Sequence, residues 1–125
     1  MKLIVAINDL GYIGKDGKML WHCKDDLKHF KYMTLGKKLI VGRTTFENLP
    51  PLKDRELLVV GTGHLTLEEA LERNPDWVIG GASIFKQTAQ LCDEFHISKI
   101  KNKDIGDIMF PEIEMDGQIF YYNFC

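Results

Sequence analysis

The segment Lys2-Leu3-Ile4-Val5-Ala6-Ile7 is apolar at nearly every position rather than at every second one. A strand with one wet face alternates. This run instead reads as a strand buried on both sides, the habit of parallel sheets covered by helices. Lys38 to Val41, Leu57 to Val60 and Trp77 to Ile79 read as further short strands, and Glu94 to Ile100 and Ile119 to Phe124 close the series. Helices fall between them. Asp25 to Leu35 carries acids in its first turn, Leu27, Phe30 and Met33 on one face, and Gly36 as its stop. A short helix is expected after Gly42, broken by Pro50-Pro51. Thr66-x-x-Glu69 is a capping box opening a helix that Asn74-Pro75 ends, and Ser83 to Leu91 is the last helix. This order implies a three-layer α/β fold: a mainly parallel central sheet, helices on both faces and an antiparallel closing strand.

A chain of 125 residues has room for one domain, expected over residues 1–125, with a core that needs no metal or disulfide staple. Eighteen acids against sixteen bases give a net charge of −2, which argues against nucleic acid as a partner. The Lys24, Lys28, Lys31, Lys37 and Lys38 cluster then reads as a solvated face. Leu3 to Ile7 is too short for a signal core or a membrane span, so a cytoplasmic protein is expected. Cys23, Cys92 and Cys125 contain no C-x-x-C pair and are expected as three reduced thiols. His22, His29, His64 and His96 share no ligand spacing, so no metal site is expected.

Two places carry chemistry. Ile40-Val41-Gly42-Arg43-Thr44-Thr45 and Val78-Ile79-Gly80-Gly81-Ala82-Ser83 both run from a strand through glycine into a helix. Ligands of open α/β sheets bind beyond the carboxyl ends of strands, where free N–H groups suit phosphate. Arg43 could add a bidentate fork. Asp26 is the second place. Its neighbour Asp25 fits a solvated first-turn role, and one residue further turns the side chain about 100°, toward Leu27, Phe30 and the interior. An inward carboxyl should have a raised pKa, suited to proton handling or to an amidine-like group. Beside it, Asn8 to Cys23 is a long loop holding Met19, Leu20 and Trp21, too apolar for a linker and expected as a flap.

Taken in order, these residues resemble the dihydrofolate reductase family. The likeness runs through Ala6 in the first strand, Ile13-Gly14, Met19-Leu20-Trp21, Asp26-Leu27-x-x-Phe30-Lys31, Thr34-Leu35-Gly36 and Val41-Gly42-Arg43-Thr44-Thr45-Phe46-Glu47. It continues with Ile79-Gly80-Gly81-Ala82, Asp93-Glu94-Phe95-His96-Ile97-Ser98 and Gly106-Asp107-x-x-Phe110-Pro111. The resemblance implies NADPH-dependent reduction of dihydrofolate to tetrahydrofolate, hydride passing to the pterin C6 and a proton reaching N5 through water near Met19 and Trp21. It implies that Asp26 holds the pteridine with Ser98 nearby. Val5, Leu27, Phe30, Leu49 and Ile79 would wall the folate, and Arg55 would grip its glutamate. Ala6, Ile13 and Gly14 would meet the nicotinamide. Gly42, Arg43, Thr44 and Thr45, with Gly61, Thr62 and Ile79 to Phe85 (Gly80, Gly81, Ala82, Ser83 and Ile84 between them), would hold the rest of the cofactor. Asp107 would brace the closed flap.

The chain departs from the family pattern in several places. Leu20 stands for a proline, Phe85 for a tyrosine and Ser83 for an arginine, and the link from Val60 to Thr66 is short. Fourteen residues follow Pro111, too few for the usual final hairpin, of which Ile119 to Phe124 is expected to supply one strand. A monomer is expected. The alternatives are a pyrimidine reductase of flavin synthesis, which shares the fold, and a binding protein that kept the grooves without turnover.

Overall fold

The computed structural model describes residues 1–15 and 18–125. In chain order the strands are β1 (Lys2–Asn8), β2 (Tyr12–Gly14), β3 (Lys38–Gly42), β4 (Glu56–Val60), β5 (Trp77–Gly80), β6 (Glu94–Ile100), β7 (Ile108–Met109) and β8 (Gln118–Phe124). The helices are α1 (Lys24–Thr34), α2 (Arg43–Glu47), α3 (Leu67–Leu71) and α4 (Ala82–Thr88), with one 3-10 turn, Ala89–Leu91, continuing α4. The central sheet has the order β4-β3-β5-β1-β6-β8.

The unbroken apolar runs are buried on both sides, as their sequence demands. Leu3, Val5, Ile40, Leu58, Val78, Phe95 and Ile97 join Ile84, Phe85 and Ala89 of the α4 region in one core cluster. Ile4, Leu39 and Trp77 form a second cluster, against which Phe30 and Met33 of α1 pack. The two clusters use alternate residues of β1, so they lie on opposite faces of the sheet. The short helix α3 is closed by local chemistry. Thr66 accepts a hydrogen bond from the Glu69 N–H at 3.1 Å, and Glu69 accepts from the Thr66 N–H at 2.9 Å, completing the expected capping box.

Two expectations are corrected. The closing strand β8 pairs with β6 in parallel, Glu94 opposite Gln118 through Ile100 opposite Phe124, rather than antiparallel. A parallel neighbour needs a crossover of a dozen residues or more, and the seventeen residues 101–117 provide it. Antiparallel pairing occurs instead between β2 and β7, two short strands outside the central sheet. The stretch read as a long loop forming a flap therefore contains a strand, and the Asp107 N–H donates to the Gly14 carbonyl at 3.1 Å. Gly17, counted in that loop, lies outside the described residues.

The second correction concerns the thiols. Cys23 and Cys125 form a disulfide with their Cα atoms 6.2 Å apart, and only Cys92 is free. Spacing rules cannot see a pair separated by 102 positions. The fold brings them together because β8 ends beside the start of α1: the His29 ring lies 4.2 Å from Tyr122 and 5.3 Å from Phe124.

Candidate active site

Asp26 and Asp25 share the first turn of α1, yet Asp25 is exposed and Asp26 is only 6% exposed. The one-residue rotation along the helix separates them, as the sequence suggests. Burial pushes the Asp26 carboxyl above the ordinary aspartate value, and a hydrogen bond from the Ser98 hydroxyl offsets part of that rise. Ser98 comes from β6, is 1% exposed, and sits opposite Ala6 of β1 in the sheet register.

Asp26 and Ser98 open onto a cavity of about 490 Å³. Val5, Ala6 and Ile79 reach it from the sheet, Leu27 and Phe30 from α1, and Leu49 from the segment after α2. The flap supplies Ile13, Gly14 and Met19, so it does lie over the cavity. Trp21 is not part of the lining, but its Nε1 is enclosed and lacks a hydrogen-bond partner in the protein. That buried donor calls for a ligand or water oxygen.

The same cavity extends to both glycine turns. Thr44 and Thr45 of α2 line it, as do Gly80, Gly81, Ala82 and Phe85 at the β5–α4 junction. The turns touch. A Cβ on Gly81 would sit 2.9 Å from the Thr45 hydroxyl, and one on Gly42 would sit 3.0 Å from Ile84 and 3.6 Å from the Gly80 carbonyl. A larger residue at Gly81 would press on the Thr45 side chain and one at Gly42 on Ile84, so glycine keeps the two turns close. Neither helix start is capped by a side chain. A paired set of uncapped backbone N–H groups beside an apolar slot fits a dinucleotide.

Residues 1–120 match a family model for dihydrofolate reductase. The chain belongs to that family. It is 36% identical to the dihydrofolate reductase of Neisseria gonorrhoeae, over 90% of this chain and 79% of that protein. It is 32% identical to dihydrofolate reductase type 3 of Salmonella typhimurium, over 90% of this chain and 78% of that one. Among solved structures, the Enterococcus faecalis dihydrofolate reductase complexed with NADP(H) and RAB-propyl superposes with a TM-score of 0.82. That pair is 35% identical, and the match covers 90% of this chain and 77% of the other.

Membership in the dihydrofolate reductase family makes the outlying residues informative. Arg55 does not line the cavity. It is half-buried beside the end of α1, where its Nε donates to the Lys53 carbonyl at 2.9 Å and its Nη1 to the Thr34 hydroxyl at 3.3 Å. Arg43 is exposed, its Nε 3.8 Å from Glu47 Oε1, and Gly61 backs onto its stem. Ser83 is exposed and engaged by Gln87, whose Nε2 donates to the Ser83 hydroxyl at 3.1 Å. Gly42, Thr62 and Ile84 also lie outside the lining, Gly42 and Ile84 immediately behind it and Thr62 on an exposed turn.

Several lining residues escape sequence reasoning: Ile4, Lys18, Asn48, Pro50, Leu52 and Ile108. Pro50 and Leu52 could have been found, since they follow Leu49 on the same loop. Ile108 could not, because only the pairing of β7 with β2 carries it under the flap.

Proposed function

We propose that this chain reduces dihydrofolate to tetrahydrofolate with NADPH as a single cytoplasmic domain, with Asp26 as the pterin anchor. The observation carrying the assignment of Asp26 is its burial against Ser98 inside a cavity that also reaches both glycine turns. A first-turn helix carboxylate loses solvation by turning inward, so a ligand that donates hydrogen bonds to it recovers what burial costs.

When bound, NADPH supplies the hydride. The protein does the rest. Asp26 accepts hydrogen bonds from the 2-amino group and ring nitrogen of the pterin, and Ser98 keeps its carboxyl oriented. Phe30, Leu27 and Leu49 wall the bound ring and exclude bulk water, with Ile79 lining the same cavity. Ala6, Ile13 and Gly14 line the nicotinamide region, with Thr44, Thr45 and the Gly80–Ala82 turn beyond it on the phosphate side. Met19 and Trp21 sit at the flap edge, where one water can reach the substrate nitrogen that takes the proton; the raised pKa of Asp26 matches that proton handling.

Mixing protein, NADPH and dihydrofolate tests the reading directly. NADPH absorbance should fall only when both are present, and Asp26→Asn should suppress the fall. Unchanged turnover in that variant overturns the anchoring role, and tight NADPH binding without any turnover overturns the enzyme reading.

A further inference from the structure

The first turn of α1 is poorly held by packing. Lys24, Asp25, Leu27 and Lys28 are all exposed, and the buried members of the segment 23–28 are Cys23 and Asp26. Cys23 is the N-cap of α1, and no side chain caps that end by hydrogen bonding. The C-terminal half is different: Phe30 and Met33 pack on the sheet, and Thr34 bonds to the Phe30 carbonyl at 2.7 Å. Besides the hydrogen bond between Asp26 and Ser98, the turn that carries Asp26 is therefore held by the bond from Cys23 to Cys125. Through it, α1 is tied to β8, a strand that borders the sheet and packs on α1 through Tyr122 and Phe124.

We propose that the Cys23–Cys125 disulfide is a redox-responsive clamp that positions Asp26. The inference rests on the reading of Asp26 as the pterin anchor. Cys23 and Cys125 are positioning residues: neither lines the cavity. Disulfides in a reducing compartment are usually transient or sensing, and this one joins a buried sulfur residue to an exposed one. The exchange partner is a dithiol reductant. Its thiolate attacks the Cys125 sulfur, a new S–S bond forms between them, and the Cys23–Cys125 bond breaks with its electron pair left on Cys23. That thiolate lies at the amino end of an eleven-residue helix, whose dipole favours it as leaving group. It then takes a proton, and the second thiol of the reductant displaces Cys125. The products are two protein thiols and an oxidised dithiol. Cys92 stays out of the exchange, buried, its thiol pushed up to about 11 and donating to the Thr88 carbonyl at 3.4 Å.

The test compares oxidised protein with protein treated with dithiothreitol. A thiol count on the denatured chain should rise from one to three. Reduction should raise KM for dihydrofolate and Kd for a 2,4-diaminopteridine by roughly tenfold, within the usual range for coupling between a control element and a site. The Kd for NADPH should hold, since its turns are built on β3 and β5. Cys125→Ser should show the reduced values with or without reductant, and Cys92→Ala should keep the response. Three thiols before reduction, or a full reduction that leaves KM and both Kd values unchanged, overturns the clamp. So does loss of NADPH binding on reduction, which makes the bond a staple for the whole fold. Wild-type protein reduced in place carries the test even where Cys125→Ser fails to fold. Asp26→Asn, measured oxidised, separates the two claims. If the diaminopteridine Kd ignores that substitution, the anchoring reading falls and the inference with it. If the Kd responds to Asp26→Asn but not to reductant, only the clamp falls.

Discussion

At one end of the cavity the polar groups, Asp26 and Ser98, are buried side chains, whereas around Thr44 and Thr45 the charged groups stay outside. Asp26 and Ser98 are almost fully enclosed, while Arg43 and Glu47 have 45% and 59% of their side chains exposed. A buried carboxyl cannot choose its partner, because water is excluded and a mismatched ligand leaves it unsatisfied. An exposed guanidinium competes with water and with its own neighbour. The pterin region should thus be unforgiving of substitution and the phosphate region tolerant of it.

The hardest strike at this contrast is Asp26→Asn. The amide keeps volume and some hydrogen bonding but loses charge and titration, so kcat/KM for dihydrofolate should fall by at least ~10² near neutral pH. NADPH affinity should stay within about twofold, since no charge changes at the glycine turns. Stability should move the other way. The folded-state pKa of Asp26 is raised by burial, so the ionised group penalises the folded state, increasingly as pH climbs from the ordinary aspartate value through the raised one. The variant should therefore equal wild type in acid and exceed it near neutral pH, as read by denaturant midpoints. A wild type that loses no stability relative to Asp26→Asn over that window would show the carboxyl to be solvated, and the contrast would collapse.

Arg55 is intermediate in burial and sharpens the comparison. Its guanidinium is half-buried and partly used by the Lys53 carbonyl and Thr34, yet it lies beside the end of α1 near Phe30. A charge-assisted bond to the glutamate of folate is worth ~1.5–3 kcal/mol. Arg55→Leu should weaken folate by about tenfold to a hundredfold and leave a tail-less diaminopteridine nearly unaffected. Equal weakening of both, measured by fluorescence titration, would reassign Arg55 to support of Thr34.

These regions also differ in how far the sequence discloses them. Local patterns reveal both glycine turns, because strand, glycine and helix follow one another within a few residues. The inward turn of Asp26 is equally local, a consequence of helical rotation past Asp25. The direction of β8 is not local. It depends on where residues 101–117 carry the chain, and β7 pairs within that crossover with β2, more than ninety positions earlier. The Cys23–Cys125 bond is hidden for the same reason, since only the placement of β8 against α1 brings its ends together. Arg43 shows a subtler limit. Its position in the turn is readable, but its diversion toward Glu47 appears only once both lie on one short helix.

That diversion sets the smaller effects, on the tolerant side of the contrast. Arg43 should confer a preference for NADPH over NADH of about tenfold, the low end of a charged hydrogen bond. Ser83 cannot assist strongly, because its hydroxyl is exposed and already engaged by Gln87. Arg43→Ala should therefore bring kcat/KM for the two cofactors nearly level; a preference that survives it intact would place the discriminating contact elsewhere. Glu47→Gln probes the same point from the other direction. The Arg43–Glu47 pair is exposed and one helical turn apart, a type worth ~0.3–0.5 kcal/mol. Releasing Arg43 should raise the NADPH preference by about twofold, and dihydrofolate KM should not move. A larger gain would mean that Glu47 repels the 2′-phosphate directly as well as holding Arg43. The double variant Arg43→Ala/Glu47→Gln distinguishes these: if Glu47 acts only through Arg43, the second substitution adds nothing once the arginine is gone.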